Sequence, residues 1–432
     1  MQIDIGKLKS LAPCYIYDAA KIEAQCNALR NALAGFDILY SVKTNPFAGV
    51  LQQVRQAGFG LDAASATEVT IGLTHGFKAE DIFYSAPGKS VEDIERAIGR
   101  CRIIVDSVNE LIRLARCARE QGLTDCPFGM RMHPDFGLAG AAPAPSKFGI
   151  ELDDLPMVAD ILRDNPVLRF EGLHIHLKSQ ILDADQIGDY WDRCLETAER
   201  IAGRPGMRPK YLNLGSGIGV AYDAKTQKPV DLTRLAERAR AVQARNRAGL
   251  DTRLIVESGR FIVSAAGSFY TPVEDIKLSR GVKYLIVRNG MNGFLRPAVA
   301  HMIAANNPEA PEAQEPFYST RAAFEADVIN DAAEREVVSI VGNLCTELDV
   351  VAEGVTVRRA ELGDLVRISN AGGYAFTLSP VLFSGQGLPR QILLTRDGHF
   401  LDESGLRIDR TRAPQTSHFN EGIRRTVLSD VQ

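Results

Sequence analysis

Lys43 closes the run Phe36-Asp37-Ile38-Leu39-Tyr40-Ser41-Val42-Lys43, and the chain then turns through Thr44-Asn45-Pro46. The apolar stretch predicts a buried strand. Asn-Pro ends it, because the residue before proline is pushed to extended geometry and proline has no N–H to offer a ladder. An amine partly withdrawn from water loses some of its preference for the ammonium form and can attack a carbonyl to form a Schiff base. Farther on, Leu212-Asn213-Leu214-Gly215-Ser216-Gly217-Ile218-Gly219 runs into a glycine-rich turn whose N–H groups can approach an anion closely. Val256-Glu257-Ser258-Gly259-Arg260 adds a second glycine turn, a carboxylate, and an arginine able to clamp the same phosphate. Each motif alone has an ordinary explanation: a lysine reaching solvent, a tight turn, a capping residue.

The elements that must carry these groups are legible in the apolar pattern. Eight short runs predict strands over 36–43, 58–65, 81–86, 101–107, 126–132, 170–177, 211–217 and 253–259. Helical spacing fills the intervals over 91–99, 110–121, 185–202 and 232–248. Strand and helix alternating in this way predict a (β/α)8 TIM-type barrel, whose chemistry gathers at the C-terminal ends of its strands. Those ends offer Lys43, Asp62, Ser85 to Lys89, Asp106, Arg131, His176, Gly215 to Gly219, and Glu257 to Arg260. A Schiff-base lysine, a phosphate cradle and a carboxylate facing a heterocycle are the parts that hold pyridoxal 5'-phosphate, the carboxylate keeping the pyridine nitrogen protonated.

Past Ser264 the pattern changes to β-rich runs over 267–276, 284–287, 336–341, 364–369 and 390–394, broken by a loop over 306–316 rich in Pro, Glu and Ala. They predict a separate C-terminal β domain of sandwich or barrel type. The strand Cys14-Tyr15-Ile16-Tyr17-Asp18 is expected to complete it. The expected division is 1–30 as lead-in to the β domain, 31–265 as barrel and 266–432 as β domain.

Length and composition narrow the classes. A chain of 432 residues exceeds the usual size of one core. A net charge of −4 gives no reason to expect a nucleic-acid partner, and no apolar run is long enough to span a bilayer. Seven scattered cysteines without a Cys-x-x-Cys pair argue against a disulfide framework or a metal site, and for a reducing cytoplasm.

The chain resembles the fold-type III pyridoxal-phosphate decarboxylases, the group that includes diaminopimelate, ornithine and arginine decarboxylases. The residues that carry the resemblance are Tyr40 to Asn45, Gly60 to Ser65, Val105-Asp106-Ser107, Ser146 to Gly149, Gly172 to His176, Glu257 to Arg260, Cys345 to Asp349 and Gly372-Gly373-Tyr374. It implies that Lys43 forms the internal aldimine, that His176 stacks on the cofactor ring and that Glu257 pairs with the pyridine nitrogen. It further implies that Ser179, Gly217, Gly259, Arg260 and Tyr374 hold the phosphate and that Asp62 and Arg131 support the aldimine region. Cys345 is expected to arrive from the second subunit of a head-to-tail homodimer and to protonate the carbanion once carbon dioxide has left.

Departures from the family pattern bear on the substrate. The basic-amino-acid decarboxylases place Asp or Glu after the catalytic cysteine to grip a distal ammonium, and here Thr346 stands there. Glu347 is expected not to substitute, since neighbours on an extended segment point to opposite sides. Lys178 replaces a usual glycine, Ala300 a tyrosine of the diaminopimelate enzymes, and Ser216 the middle of three glycines; Arg296 remains to take a carboxylate. An ammonium buried without its carboxylate is strongly disfavoured. The expected small-molecule substrate is therefore an amino acid with a neutral or anionic extension, such as a citryl-diamino acid of siderophore assembly or a carrier-bound amino acid, ahead of a free basic amino acid. Glu257 and Cys345 argue against an amino-acid racemase, and Cys345 with Tyr374 against a non-catalytic cofactor carrier.

Overall fold

The computed structural model describes residues 5–215, 217–307 and 316–402. Its first strand, β1 (Cys14–Asp18), leads into a helix over Ala19–Ala32 and then into the barrel. The barrel strands are β2 (Asp37–Ser41), β3 (Gly60–Ala63), β4 (Ile82–Tyr84), β5 (Arg102–Val105), β6 (Cys126–Arg131), β7 (Leu168–His174), β8 (Tyr211–Asn213) and β9 (Arg253–Ser258). They pair in parallel in chain order, and β9 closes on β2 with Leu39 opposite Glu257. All eight predicted strands are present, and the barrel is the one expected.

Leu39, Phe83, Ile104, Tyr211 and Ile255 pack as a cluster of their own among the barrel strands. Gly129 and Gly172 make room there, since a Cβ on either would run into the Tyr211 side chain. A plugged barrel is a packed core, so chemistry is left to its rim. The outer helices are capped as their sequences suggest: Ser107 accepts from the Glu110 N–H at 3.2 Å and starts Val108–Glu120, which buries Leu111, Leu114, Ala115 and Ala118.

The second sheet is built from β10 (Gly267–Ser279), β11 (Val282–Val287), β12 (Ala326–Ile329), β13 (Arg335–Gly342), β14 (Val350–Arg358), β15 (Leu365–Ile368), β16 (Arg390–Leu394) and β17 (Phe400–Asp402). β1 joins it as expected, antiparallel to β10 and parallel to β16. The helix Ala19–Ala32 already packs on the barrel helices Ala48–Gln56 and Leu232–Ala248. The all-β expectation needs a correction: Leu295–Asn306 is an α-helix, with Pro297 in its first turn, where its missing N–H costs nothing. Most of the loop expected over 306–316 lies outside the described residues. Among the described residues no helix is long and apolar enough to cross a membrane, and no group of His, Cys, Asp and Glu is arranged to hold a metal.

Candidate active site

Lys43 does not end a strand. β2 stops at Ser41, and Val42–Thr44 forms a short 3-10 turn that carries the lysine. The other domain holds that turn: Tyr374 N–H donates to Thr44 O at 2.8 Å, and the Asn45 amide donates to Gly372 O at 2.8 Å. Tyr374 sits at a φ of 52°. Close approach explains the glycines beside it, since a Cβ on Gly372 would collide with the Val263 carbonyl.

One cavity at the barrel rim is lined by Ser41, Lys43, His176, Ser179, Gln180, Ile218, Glu257, Gly259, Arg260 and Tyr374. Seven of these come from the sequence-predicted set: Lys43, His176, Ser179, Glu257, Gly259, Arg260 and Tyr374. Asp62 stands just behind them, its Oδ2 3.6 Å from the Lys43 amine and its Oδ1 accepting from the Ser85 hydroxyl at 2.6 Å. Asp62 is fully buried while the Lys43 side chain is 46% exposed, so the charge that orients the amine is fixed and the amine remains open to the cavity. Arg131 is buried at 3.4 Å from Asp106 and lies over the Phe148 ring. Gly217 is part of the turn beside the cavity: its carbonyl accepts from Ile181 N–H at 2.7 Å, which ties the segment carrying Ser179 and Gln180 to the glycine loop. Ser216, the replaced central glycine, lies outside the described residues.

Glu257 is buried at the end of β9. Burial works to raise its carboxyl, but His174, His176 and Lys43 outweigh that and hold it well below the usual carboxylate range. The Asn213 amide donates to its Oε1 at 2.8 Å, and Asn213 Oδ1 in turn accepts from Gly215 N–H at 2.9 Å. His176 is driven the other way. Burial pulls its pKa down to about 3 against the attraction of Glu257, with Arg131 and Lys43 adding to the fall, so a neutral ring faces the cavity.

Arg260 donates to the Tyr222 hydroxyl at 3.0 Å and to Pro316 O at 2.8 Å, and its guanidinium lies over the Tyr374 and Tyr318 rings. It begins the short helix Arg260–Val263 directly after Gly259, whose carbonyl accepts from the Ile262 N–H at 3.0 Å. Burial raises the Tyr222 phenol, but Arg296 and Arg260 beside it bring its pKa down to about 8.

The predicted substrate pole is placed differently. Arg296 is wholly buried, and its guanidinium donates at 3.0 Å each to the carbonyls of Phe317, Gly373 and Tyr318. The expectation that it offers itself to a substrate carboxylate is therefore corrected: its fork ties the segment Phe317-Tyr318 to Gly373. Lys178 is exposed and does not line the cavity. Cys345 is exposed on the loop joining β13 to β14 and does not line the cavity of its own chain. That loop is bent and not extended: Thr346 N–H donates to Leu344 O at 2.8 Å, and the Thr346 hydroxyl accepts from Leu348 N–H at 3.3 Å. Alternation thus does not govern where Glu347 points.

Sequence reasoning passed over His174, Asn213, Gln180 and Tyr222. His174 had a signal, since in an extended strand it shares a face with His176 two residues on. Gln180 holds the glycine loop by donating to Val220 O at 2.6 Å and accepting from Val220 N–H at 3.1 Å, a partnership visible only in three dimensions.

The residues fit pyridoxal phosphate. A half-open amine beside a fully buried carboxylate, a low-pKa buried carboxylate, a neutral imidazole and two glycine turns surround one cavity. When bound, the cofactor supplies an electron-withdrawing ring for a carbanion at the substrate α-carbon.

A model for the pyridoxal-dependent decarboxylase pyridoxal-binding domain matches residues 19–264. The chain is 30% identical to the L-glutamyl-[BtrI acyl-carrier protein] decarboxylase of Niallia circulans over 93% of this chain and 94% of that one. It is 32% identical to a diaminopimelate decarboxylase of Pseudomonas aeruginosa, over 85% of this chain and 84% of that one. It is 30% identical to the 2-[(L-alanin-3-ylcarbamoyl)methyl]-2-hydroxybutanedioate decarboxylase of Staphylococcus aureus, over 88% and 94%. The fold is that of the diaminopimelate decarboxylase of M. jannaschii, with a TM-score of 0.80 at 22% identity over 92% of this chain and 90% of that one. The barrel with its rim cavity, the second sheet closed by an N-terminal strand and these matches have one meaning: the chain belongs to the pyridoxal-phosphate-dependent decarboxylases of fold type III.

Proposed function

We propose that this enzyme decarboxylates the amino-acid end of a conjugated substrate, such as a citryl-diamino acid of siderophore assembly, as a homodimer with shared sites. The observation that carries the substrate reading is Thr346, a neutral residue where the basic-amino-acid enzymes place a carboxylate. A distal ammonium drawn into such a site has no fixed counter-charge, and that costs far more than a neutral or anionic extension does. Two relatives support the same class, since their names join an amino-acid centre to a carrier protein and to a hydroxybutanedioate. Neither Lys178 nor Arg296 adds to it as placed, one being exposed and off the cavity lining and the other committed to carbonyls.

The shared-site reading rests on Cys345. An exposed thiol off the cavity of its own chain is suited to completing the cavity of a second copy. In that arrangement Lys43, Asp62, His176 and Glu257 form the cofactor pole, and Cys345 of the partner subunit delivers a proton to the α-carbon.

Carbon dioxide release from purified enzyme tests the substrate class. A panel of citryl-diamino conjugates, carrier-bound amino acids, meso-diaminopimelate, ornithine and lysine is the relevant set. Turnover confined to conjugates is expected. Ordinary catalytic efficiency on diaminopimelate or ornithine, with conjugates ignored, contradicts it.

A further inference from the structure

We propose that His174 is a positioning residue that fixes the Glu257 carboxylate for its contact with the cofactor's ring nitrogen. The proposal rests on the pyridoxal-phosphate reading of the rim cavity and assigns a role to a residue behind its lining.

His174 closes β7 and is 2% exposed. Strand register sets it between Arg131 of β6 and Asn213 of β8. Its Nε2 lies 3.2 Å from Glu257 Oε1, the same oxygen that takes the Asn213 amide at 2.8 Å. Two groups thus meet Oε1, which leaves Oε2 for a donor in the cavity. Asn213 is itself anchored to Gly215 N–H and cannot follow a moving carboxylate. His174 differs: neither of its ring nitrogens has an aligned hydrogen-bond partner, although both are buried.

A buried imidazole without aligned partners is a cost that an apolar side chain of the same size avoids. Its position is accounted for if the carboxylate needs it. Glu257 is taken out of water, which disfavours its charge, and His174 is the foremost of the neighbours that oppose that loss, ahead of His176 and Lys43. The ring beside Oε1 offsets that loss and sets which oxygen is presented. A neutral or misdirected acid cannot hold a proton on a pyridine nitrogen.

The test titrates apoprotein of wild type, His174→Gln and His174→Phe with pyridoxal phosphate and with its 1-deaza analogue, whose ring lacks the nitrogen. His174→Phe is expected to weaken pyridoxal phosphate on the order of tenfold and to shift the pH profile of the bound cofactor's visible absorption. His174→Gln, which keeps a donor near the Nε2 position, is expected to bind within about twofold of wild type. With the 1-deaza analogue, His174→Phe and wild type are expected to bind alike. Equal losses for both ligands would show packing damage and overturn the inference, as would no loss for either. Should His174→Phe fail to fold, His174→Ala carries the same comparison. Wild type that binds no pyridoxal phosphate would overturn the cofactor reading itself, an outcome distinct from a silent His174.

Discussion

Gly259 and Thr44 share space that admits no further atom: a Cβ on Gly259 would overlap the Thr44 hydroxyl, joining the turn after the last barrel strand to the turn that carries Lys43. The Gly259 φ of −128° is one that any residue adopts, so the glycine is there for room and not for conformation. Gly259→Ala must push the two turns apart. Overpacking of this kind costs about 1–3 kcal/mol and falls directly on the cofactor cavity, so cofactor affinity is expected to drop at least tenfold or so. The Thr44 hydroxyl is buried without a hydrogen-bond partner, so Thr44→Ala alone is expected to be mild. Gly259→Ala combined with Thr44→Ala is expected to recover most of the loss. Titration of the four proteins with pyridoxal phosphate checks this, and additive losses would contradict it.

Lys43 lines the rim cavity and Cys345 of the same chain does not, so the shared-site proposal predicts complementation. On the shared-site proposal neither a Lys43→Ala nor a Cys345→Ala homodimer would keep an intact site. After subunit exchange, random pairing leaves one intact site in half the dimers, so activity is expected to rise to about a quarter of wild type. Carbon dioxide release before and after mixing measures it. No recovery after exchange has been demonstrated by light scattering or mass spectrometry would place Cys345 outside a shared site.

Glu68 predicts a pH dependence of stability in the apoprotein. Its carboxylate accepts from Ala64 N–H at 2.6 Å near Asp62 and Lys43. Burial raises its pKa from 4.5 to about 7, helped by Asp62 and opposed by the Ala64 N–H and by Lys43. A carboxyl raised in the folded state favours the native protein while protonated. Its contribution is therefore present below about pH 4.5 and is lost as pH rises toward 7. Glu68→Gln is expected to flatten the apoprotein's denaturation midpoint against pH across that window. A variant that tracks wild type across it would contradict the assignment.

The strands and most of the cofactor pole were legible in the sequence for a shared reason. Buried barrel strands are short apolar runs stopped by turn residues, and the chemistry is written at those stops. Lys43 and His176 lie just past strand ends, and Gly259 and Arg260 directly after β9. The substrate pole was not legible in the same way. Arg296-Pro297-Ala298 looked like a binding motif, yet it opens a helix whose first turn is buried, and that burial turns the guanidinium toward three carbonyls. The local pattern after Cys345 suggests an extended segment, but bonds within the loop bend it at Thr346. Support residues such as Gln180 and Asn213 act through partners tens of residues away, which no local pattern reports.

The most direct test of the cofactor site is chemical labelling. Holoenzyme reduced with borohydride, digested and read by mass spectrometry is predicted to carry the pyridoxyl group on Lys43 alone. A label on another lysine, or none in protein that releases carbon dioxide, would contradict a cofactor site formed by Lys43, Asp62, His176 and Glu257.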